Sequence, residues 1–297
     1  MSRDPALRLF TRALLLTSPY TSLMKSTSEP QRAWQHDPLT GPIASEIPLP
    51  DAPLVRVIAQ VKFPPVMAIL QPEFIGQFQE AIRATYTDLS RIDIPNPEIQ
   101  TAPHGGVPQR ILGPWRFQTP GEGWMVSLAH DFVALEATTY SNRADFVNRL
   151  REILGALETH VRPRTVERIG VRYVDRLNED CLNDLATLVR PEVLGITAHP
   201  HLGRLALSIT ESVFALNGCQ LTARWGLVPA NATYDPGAVE PRPAPSWVLD
   251  LDMFRNESHR FSVNKATSDA SAFAERIYTV FRWAVTDRFL ERFGGRL

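Results

Sequence analysis

The segment from Arg164 to Leu177, near the middle of the chain, contains three arginines that follow its first residue at four-residue spacing, namely Arg168, Arg172 and Arg176. β-Branched and aromatic residues alternate with polar ones in this segment, which predicts a strand whose successive side chains point to opposite faces. Arg168, Arg172 and Arg176 would then share one face, with Arg168 and Arg172 roughly 13 Å apart at about 3.3 Å per residue. Because a guanidinium is a planar fork that matches phosphate or carboxylate, the row predicts either an anion-binding surface or a set of salt bridges.

Asp250 and Asp252 form a second pattern that could do chemistry. The two residues are two positions apart on a predicted strand, so their carboxylates project from the same face. Carboxylates in this arrangement can hold Mg²⁺ for phosphoryl or nucleotidyl transfer. The sequence shows neither the Gly-Ser turn nor the third acidic strand that usually accompanies such a site. If this strand lies near the arginine-bearing one, the two aspartates become cross-strand partners for the arginines, which is the interpretation we favour.

Basic residues on a second strand extend the candidate surface. Val55 to Phe63 alternates in the same way, and it matches the arginine-bearing strand at an offset of 110 residues, so that its basic side chains would lie on the corresponding face. The candidate anion-binding or partner-binding residues are therefore Arg56, Lys62, Arg168, Arg172 and Arg176. No catalytic residue and no cofactor are predicted, because the chain has no Walker loop, no Gly-x-Gly-x-x-Gly fingerprint and no Gly-x-Ser-x-Gly elbow.

The elements that position these residues repeat in order along the chain. Each half reads as strand, helix, three strands and helix, with the halves at residues 51–162 and 163–297. In the second half Asn217-Gly218 predicts a hairpin, and Ser268 to Phe293 is predicted as the longest helix. The fold class that follows is α+β, an antiparallel sheet with long helices packed on one face.

Less regular segments complete the organisation. Residues 1–50, rich in Ser, Thr and Pro after an apolar start, predict a flexible N-terminal arm, and residues 51–297 predict a single domain. Ser90 to Gln109 and Pro229 to Pro245 contain several prolines and glycines and predict two long surface loops. The helix after the first half's strands is expected to begin with Ser141 as its N-cap.

The amino-acid composition bears on which functions the sequence allows. The 31 basic and 32 acidic residues leave no overall positive charge for binding nucleic acid, so any such binding would need a local patch. The two cysteines lack metal-type spacing, which favours a reducing cytoplasm. No apolar run approaches the roughly 20 residues of a spanning helix, so we expect a cytoplasmic protein that does not contact a membrane.

Several landmarks together resemble a family of uncharacterised prokaryotic proteins of sporadic distribution. They are the strand that opens Pro53-Leu54-Val55 and ends Phe63-Pro64, the segment from Asp131 to Leu135, Tyr140, Phe146, the Arg168-Ile169-Gly170-Val171-Arg172-Tyr173 block and Leu249-Asp250-Leu251-Asp252. The resemblance covers the chain from about Pro53 to its C-terminus and implies no known activity. Patchy distribution implies horizontal transfer, which favours a role linked to mobile elements, toxin control or phage defence.

Three functions follow as hypotheses. The first is a non-enzymatic binding or regulatory protein that holds a protein partner on one sheet face or on its two Pro-rich loops. The second is a nucleic-acid-binding or nucleotide-binding protein that uses the arginine-bearing face. The third is a Mg²⁺-dependent phosphoryl-transfer enzyme that uses Asp250 and Asp252.

Overall fold

A nine-stranded antiparallel sheet organises the part of the chain that the computed structural model describes, which is residue 34 and residues 36–95, 110–198 and 205–297. Nine strands form this sheet: β1 (Leu54–Lys62), β2 (Asp88–Pro95), β3 (Arg110–Thr119), β4 (Trp124–Leu128), β5 (Phe132–Ala137), β7 (Arg168–Leu177), β8 (Ser208–Leu216), β9 (Cys219–Val228) and β10 (Ser246–Arg255). Two short strands, β6 (Thr165–Val166) and β11 (His259–Arg260), pair separately. The expected α+β class with a large antiparallel sheet is confirmed.

Seven α-helices accompany the strands in the described residues. They are α1 (Pro72–Ile82), α2 (Arg143–His160), α3 (Glu179–Leu182), α4 (Leu185–Leu188), α5 (Pro191–Leu194), α6 (Val263–Ala284) and α7 (Asp287–Arg292), with single 3-10 turns at Met67–Leu70 and Gly195–Ala198. Residues from Trp34 onward form one compact unit. None of the helices in the described ranges is long and apolar enough to cross a membrane.

The sheet order is β2-β3-β4-β5-β1-β7-β10-β9-β8, which places β1 beside β7. Ala59 pairs with Val171 and Lys62 with Arg168 in the β1–β7 ladder. On its other side β7 pairs with β10, where Asp252 lies opposite Arg172. The predicted neighbourhood of the arginine-bearing strand and the aspartate-bearing strand is therefore present.

Alternation along β7 separates an apolar face from a polar one, as the sequence predicts. Ile169, Val171 and Leu177 are each about 1% exposed, and they belong to the same hydrophobic core as the inward side chains of α2 and α6. Each Å² of apolar surface that such branched side chains remove from water stabilises the fold by about 25 cal/mol. α6 contacts β7, β10 and α2, so the longest helix lies over the centre of the sheet.

Local signals fixed several element ends. Leu216 pairs with Cys219 across a two-residue turn in which Gly218 has φ +73°, so the hairpin predicted at Asn217-Gly218 is confirmed. Helix α2 is capped by Asn142, whose side chain accepts from the Asp145 amide at 2.9 Å, one residue after the expected cap.

Two predicted segments differ from the structure. The helix expected from Ser268 to Phe293 starts earlier, after Ser262, and is interrupted at Val285, which is extended and bridges to Val189 before Thr286 caps α7. The loop expected from Ser90 to Gln109 overlaps β2, because the backbone of that segment pairs with β3 up to Pro95. The rest of that predicted loop, residues 96–109, lies outside the described residues.

The N-terminal arm expected over residues 1–50 lies largely outside the described residues, but its last part contacts α6. The Arg276 guanidinium donates to the carbonyl oxygens of Pro38 and Gly41 at 3.0 and 2.9 Å. The amide of Ala44 donates to Thr279 Oγ1 at 3.1 Å, and that of Ile47 donates to the Tyr278 hydroxyl at 2.7 Å. We call residues 44–52 the strap, because this segment is tied to α6 along one edge of a cavity.

Candidate functional site

The arginine-bearing face centres on an ion pair between neighbouring strands. Nε and Nη2 of Arg172 on β7 donate to Oδ1 and Oδ2 of Asp250 on β10 at 2.8 and 2.7 Å. The side chain of Asp250 is fully buried, and Arg172 also contacts Asp235 at 2.8 Å. Burial disfavours the charge of Arg172, but the hydrogen bonds and charges of Asp250 and Asp235 outweigh it and hold its pKa above the usual value.

The loop between β9 and β10 covers part of this face. The Tyr234 hydroxyl donates to Asp250 Oδ2 at 3.0 Å, and burial together with the neighbouring Asp250 carboxylate raises the pKa of Tyr234. Ala238 and Val239 from the same loop pack on Val174 of β7. The loop predicted at Pro229 to Pro245 therefore closes over the ion pair instead of standing free.

The other predicted basic residues also have partners. Arg168 contacts Asp252 at 3.3 Å and Gln60 at 3.2 Å, and its guanidinium lies 4.5 Å from the Phe254 ring centre. Burial raises the pKa of Asp252, against the lowering effect of Arg168. The Lys62 amine lies 3.8 Å from Asp131 and keeps 40% of its side chain exposed.

Arg56 and Arg176 lie towards the end of the sheet that the loop covers. Arg56 contacts Glu136 at 3.4 Å and donates to the Gly237 carbonyl at 3.1 Å. Arg176 is 2% exposed and donates to Ser246 Oγ at 2.8 Å and to the Glu240 carbonyl. The structure thus brings Arg168, Arg172 and the two aspartates together and places Arg56 and Arg176 beneath the loop.

The geometry at Asp250 and Asp252 does not suit Mg²⁺. Both oxygens of Asp250 accept hydrogen bonds from Arg172, and Arg224 Nη1 lies 3.6 Å from Oδ2. A cation at this position would have to displace guanidinium groups from a buried carboxylate. Throughout the described ranges, no group of three or more His, Cys, Asp or Glu side chains could hold a metal ion.

A cavity of about 340 Å³ lies on the opposite side of the sheet. The strap, the residues around the start of α2, the apolar face of β7 and β10, and one side of α6 line it. Its volume is near the lower end of the roughly 300–1,000 Å³ typical of small-molecule sites. The apolar part of its wall comes from Ile47, Leu49, Leu251, Ile277 and Phe281.

Asp175 brings a carboxyl group into this apolar wall. It is 9% exposed, and no hydrogen bond or ion pair within the described part of the chain reaches its side chain. Burial, and then the charge of Asp250 on the neighbouring strand, raise the pKa of Asp175 to about 7. A carboxyl with this pKa can hold or release a proton near neutral pH.

The register of β1 changes beside Asp175. Leu54 pairs with Asp175 but Arg56 pairs with Val174, so Val55 forms a bulge at this point of the ladder. β-Bulges often occur next to functional sites because they redirect a side chain. The irregularity lies at the edge of the cavity, where the strap enters β1.

Tyrosine hydroxyls supply further polar groups of the cavity. The hydroxyl oxygens of Tyr140 and Tyr173 are 3.1 Å apart, and their rings meet edge to face with centres 5.6 Å apart. Burial raises the pKa of Tyr140 to about 12, so the phenol stays neutral at physiological pH. At the rim Arg143 donates to Glu46 of the strap at 3.1 Å.

Sequence comparisons do not name a family. The chain matches no protein-family model, and no curated protein matches it significantly. The site must therefore be understood from its own residues.

Asp175 was not among the predicted site residues, although the sequence contains its signal. Period-two alternation on β7 places it on the same face as Ile169, Val171 and Tyr173, where a carboxylate is unexpected. The cavity itself has no local signal, because the strap and α6 are more than 200 residues apart in sequence.

Proposed function

We propose that this protein is a non-enzymatic binding or regulatory protein that holds a small organic ligand in the cavity beneath the strap. The observation that carries the proposal is the Asp175 carboxyl, which is buried on an apolar face without a partner in the described structure. Leaving an ionisable group in this state destabilises the fold, since burial disfavours the charge. Perturbed and unpaired groups of this kind concentrate at functional sites.

The cavity has the mixture of surfaces that small-molecule sites use. Aliphatic and aromatic side chains form most of its wall, and a few polar groups converge on it, chiefly Asp175 and the hydroxyls of Tyr140 and Tyr173. Such polar groups orient a ligand, while the apolar wall supplies most of the binding free energy. The strap gives the cavity one wall that is attached to α6 by a small number of hydrogen bonds.

The arginine-bearing face supports a structural role better than an anion site. Arg56, Lys62, Arg168 and Arg172 each lie within 4 Å of a carboxylate. A phosphate group binding here would compete with carboxylates already held by the fold. Nucleic-acid binding and phosphoryl transfer are therefore not part of the proposal.

We also propose that the domain, residues 51–297, is built from two related halves with their long helices on one face of the sheet. The support is the strand order, in which β5-β1 and β10-β7 meet at the central β1–β7 ladder. The first half has one additional strand, β2, at its outer edge. Related halves would account for the similar sequences of β1 and β7.

The cellular setting is proposed from the sequence alone. A cytoplasmic location, a protein partner and a link to mobile elements, toxin control or phage defence remain predictions. A protein partner is compatible with ligand binding, because a ligand that displaces the strap from α6 would change the surface that the strap presents.

Ligand-observed NMR with a mixed set of small amines, alcohols and carboxylates tests the proposed site. We expect at least one chemical class to bind at millimolar concentration or below. Ala274→Phe, which places a ring in the cavity wall, should abolish the signal, whereas Ala272→Phe on the exposed side of α6 should leave it unchanged. Circular dichroism of both variants verifies that they remain folded.

Two results would overturn the proposed site. One is the absence of binding by every chemical class to the folded wild-type protein. The other is binding that persists unchanged in a folded Ala274→Phe variant, since the ligand would then occupy another part of the molecule.

A further inference from the structure

The charges of the cavity specify one class of ligand. Resting on the ligand site proposed above, we infer that the ligand carries a positively charged ammonium group on an apolar body, with Asp175 as its counter-ion. The inference starts from a mismatch, because the cavity contains a carboxyl group that the described structure leaves without a cation.

Among the described lining residues, the basic side chain is Arg143, and it already has a partner. Its Nη2 atom lies 3.1 Å from Glu46 Oε2 across the cavity rim. Glu46 therefore balances Arg143, and Asp175 on β7 is left as the unbalanced charge of the cavity. A ligand cation would complete the pairing.

Aromatic rings around the carboxyl favour the same charge. Tyr140, Tyr173, Tyr278 and Phe281 line the cavity, and the faces of such rings attract cations. Tyr140 and Tyr173 also present hydroxyl oxygens that can accept hydrogen bonds from an ammonium group. Aromatic rings that surround a cation are a recurrent arrangement for recognising quaternary ammonium groups.

Energetics separate an ammonium from the alternatives. A hydrogen bond to a charged group contributes about 1.5–3 kcal/mol, and a buried carboxylate gains more from a cation than from a neutral donor. At pH 8, above the pKa of Asp175, a neutral ligand would leave the carboxylate charge uncompensated, and an anionic ligand would be repelled by it. The apolar body is required because Leu49, Leu251 and Ile277 contribute apolar surface to the wall.

Isothermal titration calorimetry at pH 8 with four matched probes tests this class. The probes are 2-phenylethylamine, its N,N,N-trimethyl derivative, the neutral 2-phenylethanol and the anionic 3-phenylpropanoate. We expect the amine or its trimethyl derivative to bind at least about tenfold more tightly than the alcohol, which corresponds to about 1.4 kcal/mol. The propanoate should bind most weakly.

Asp175→Asn provides the decisive variant, since it keeps the shape of the side chain and removes its charge. It should reduce the affinity for the cationic probes to that for the alcohol and leave the alcohol unaffected. Glu73→Gln removes an exposed carboxylate on α1, outside the cavity, and should change neither affinity. Tighter binding of the primary amine than of the trimethyl derivative would indicate hydrogen bonds to the ammonium group. The reverse order would indicate contact with the aromatic rings. Either order supports a cationic ligand.

The inference is overturned if the alcohol binds as tightly as the cations, or if Asp175→Asn keeps the preference for cations. Alcohol binding that Ala274→Phe abolishes would in that case leave the proposed ligand site intact. If neither cation binds, the inference also fails, and the mixed set of fragments decides separately whether the cavity binds any ligand.

Discussion

Arg172 and Asp250 form a two-point ion pair across β7 and β10, in which the carboxylate is fully buried. Removing the guanidinium would leave that carboxylate with weaker partners beneath the loop between β9 and β10. Arg172→Met should therefore lower the free energy of unfolding by roughly 3–5 kcal/mol, measured by urea denaturation. Arg83→Met is the matched control, because Arg83 and Glu80 form an exposed pair that solvent screens and that should add little to stability. If both variants lost the same free energy of unfolding, the buried pair would contribute no more to stability than the exposed one.

The ion pairs of the arginine-bearing face lead to a second prediction, which concerns nucleic-acid binding. If this face bound phosphates, its affinity for nucleic acid would fall steeply as the salt concentration rises, and the Arg168→Ala substitution would lower that affinity further. We expect instead that single-stranded and double-stranded oligonucleotides bind weakly and that Arg168→Ala leaves this binding unchanged, because Arg168 is already paired with Asp252. Fluorescence anisotropy from 50 to 200 mM salt measures both effects. A steep salt dependence that Arg168→Ala removes would restore the nucleic-acid hypothesis.

The pKa of Asp175 predicts a particular dependence of stability on pH. Its pKa is about 7 in the folded protein and 3.8 as the ordinary value, so the folded state keeps a proton that the unfolded chain has lost. The free energy of unfolding should therefore fall as the pH rises from about 4 to about 7 and then level off, by up to roughly 4 kcal/mol at about 1.4 kcal/mol per pH unit. Asp175→Asn should abolish this part of the pH dependence.

The difference between wild type and Asp175→Asn isolates this effect. Asp252 and Glu136 also have pKa values raised by burial, and their contributions cancel in the difference. Around the cavity Tyr140, Tyr173 and Tyr278 have raised pKa values and stay neutral over this range. Glu46 and Arg143 pair at the rim in both proteins. A wild-type profile parallel to that of Asp175→Asn would contradict the prediction.

The strap supplies a prediction about local opening. The Ile47 amide donates to the Tyr278 hydroxyl at 2.7 Å, so Tyr278→Phe removes its acceptor. Hydrogen exchange at Ile47 should become faster by about five- to tenfold, corresponding to about 1 kcal/mol, while global stability changes little. The Val61 amide in β1 serves as the internal control, since it lies in the central ladder. Unchanged exchange at Ile47 would show that this hydrogen bond does not hold the strap.

Local patterns predict most strands of the sheet and show which of its faces is buried. Alternation on β1 and β7 identified the buried face, and Asn217-Gly218 identified the hairpin. The break between α6 and α7 was missed because it depends on Val285 bridging to Val189, a contact that no local pattern encodes. β2 was missed because the nearby prolines and glycines outweighed its short alternation.

The candidate site was only partly predictable for the same physical reason. The proximity of Arg172 to Asp250 followed from two strand patterns and the assumption that the strands were neighbours. The cavity needed the tertiary contact between the strap and Tyr278, together with the position of α6 over β7 and β10. The position of Asp175 on the apolar face could be read from the alternation of β7, but the absence of a partner could be seen only in three dimensions.

The most direct test of the ligand site is an NMR measurement of contacts between 2-phenylethylamine and methyl-labelled protein. We predict intermolecular nuclear Overhauser effects to the methyl groups of Leu251 and Ile277, which line the same cavity as Asp175. Exposed Ile196 and Leu207, at 55% and 56% exposure, report nonspecific contact elsewhere and should show none. Contacts confined to Ile196 and Leu207, with Leu251 and Ile277 unaffected, would contradict the account.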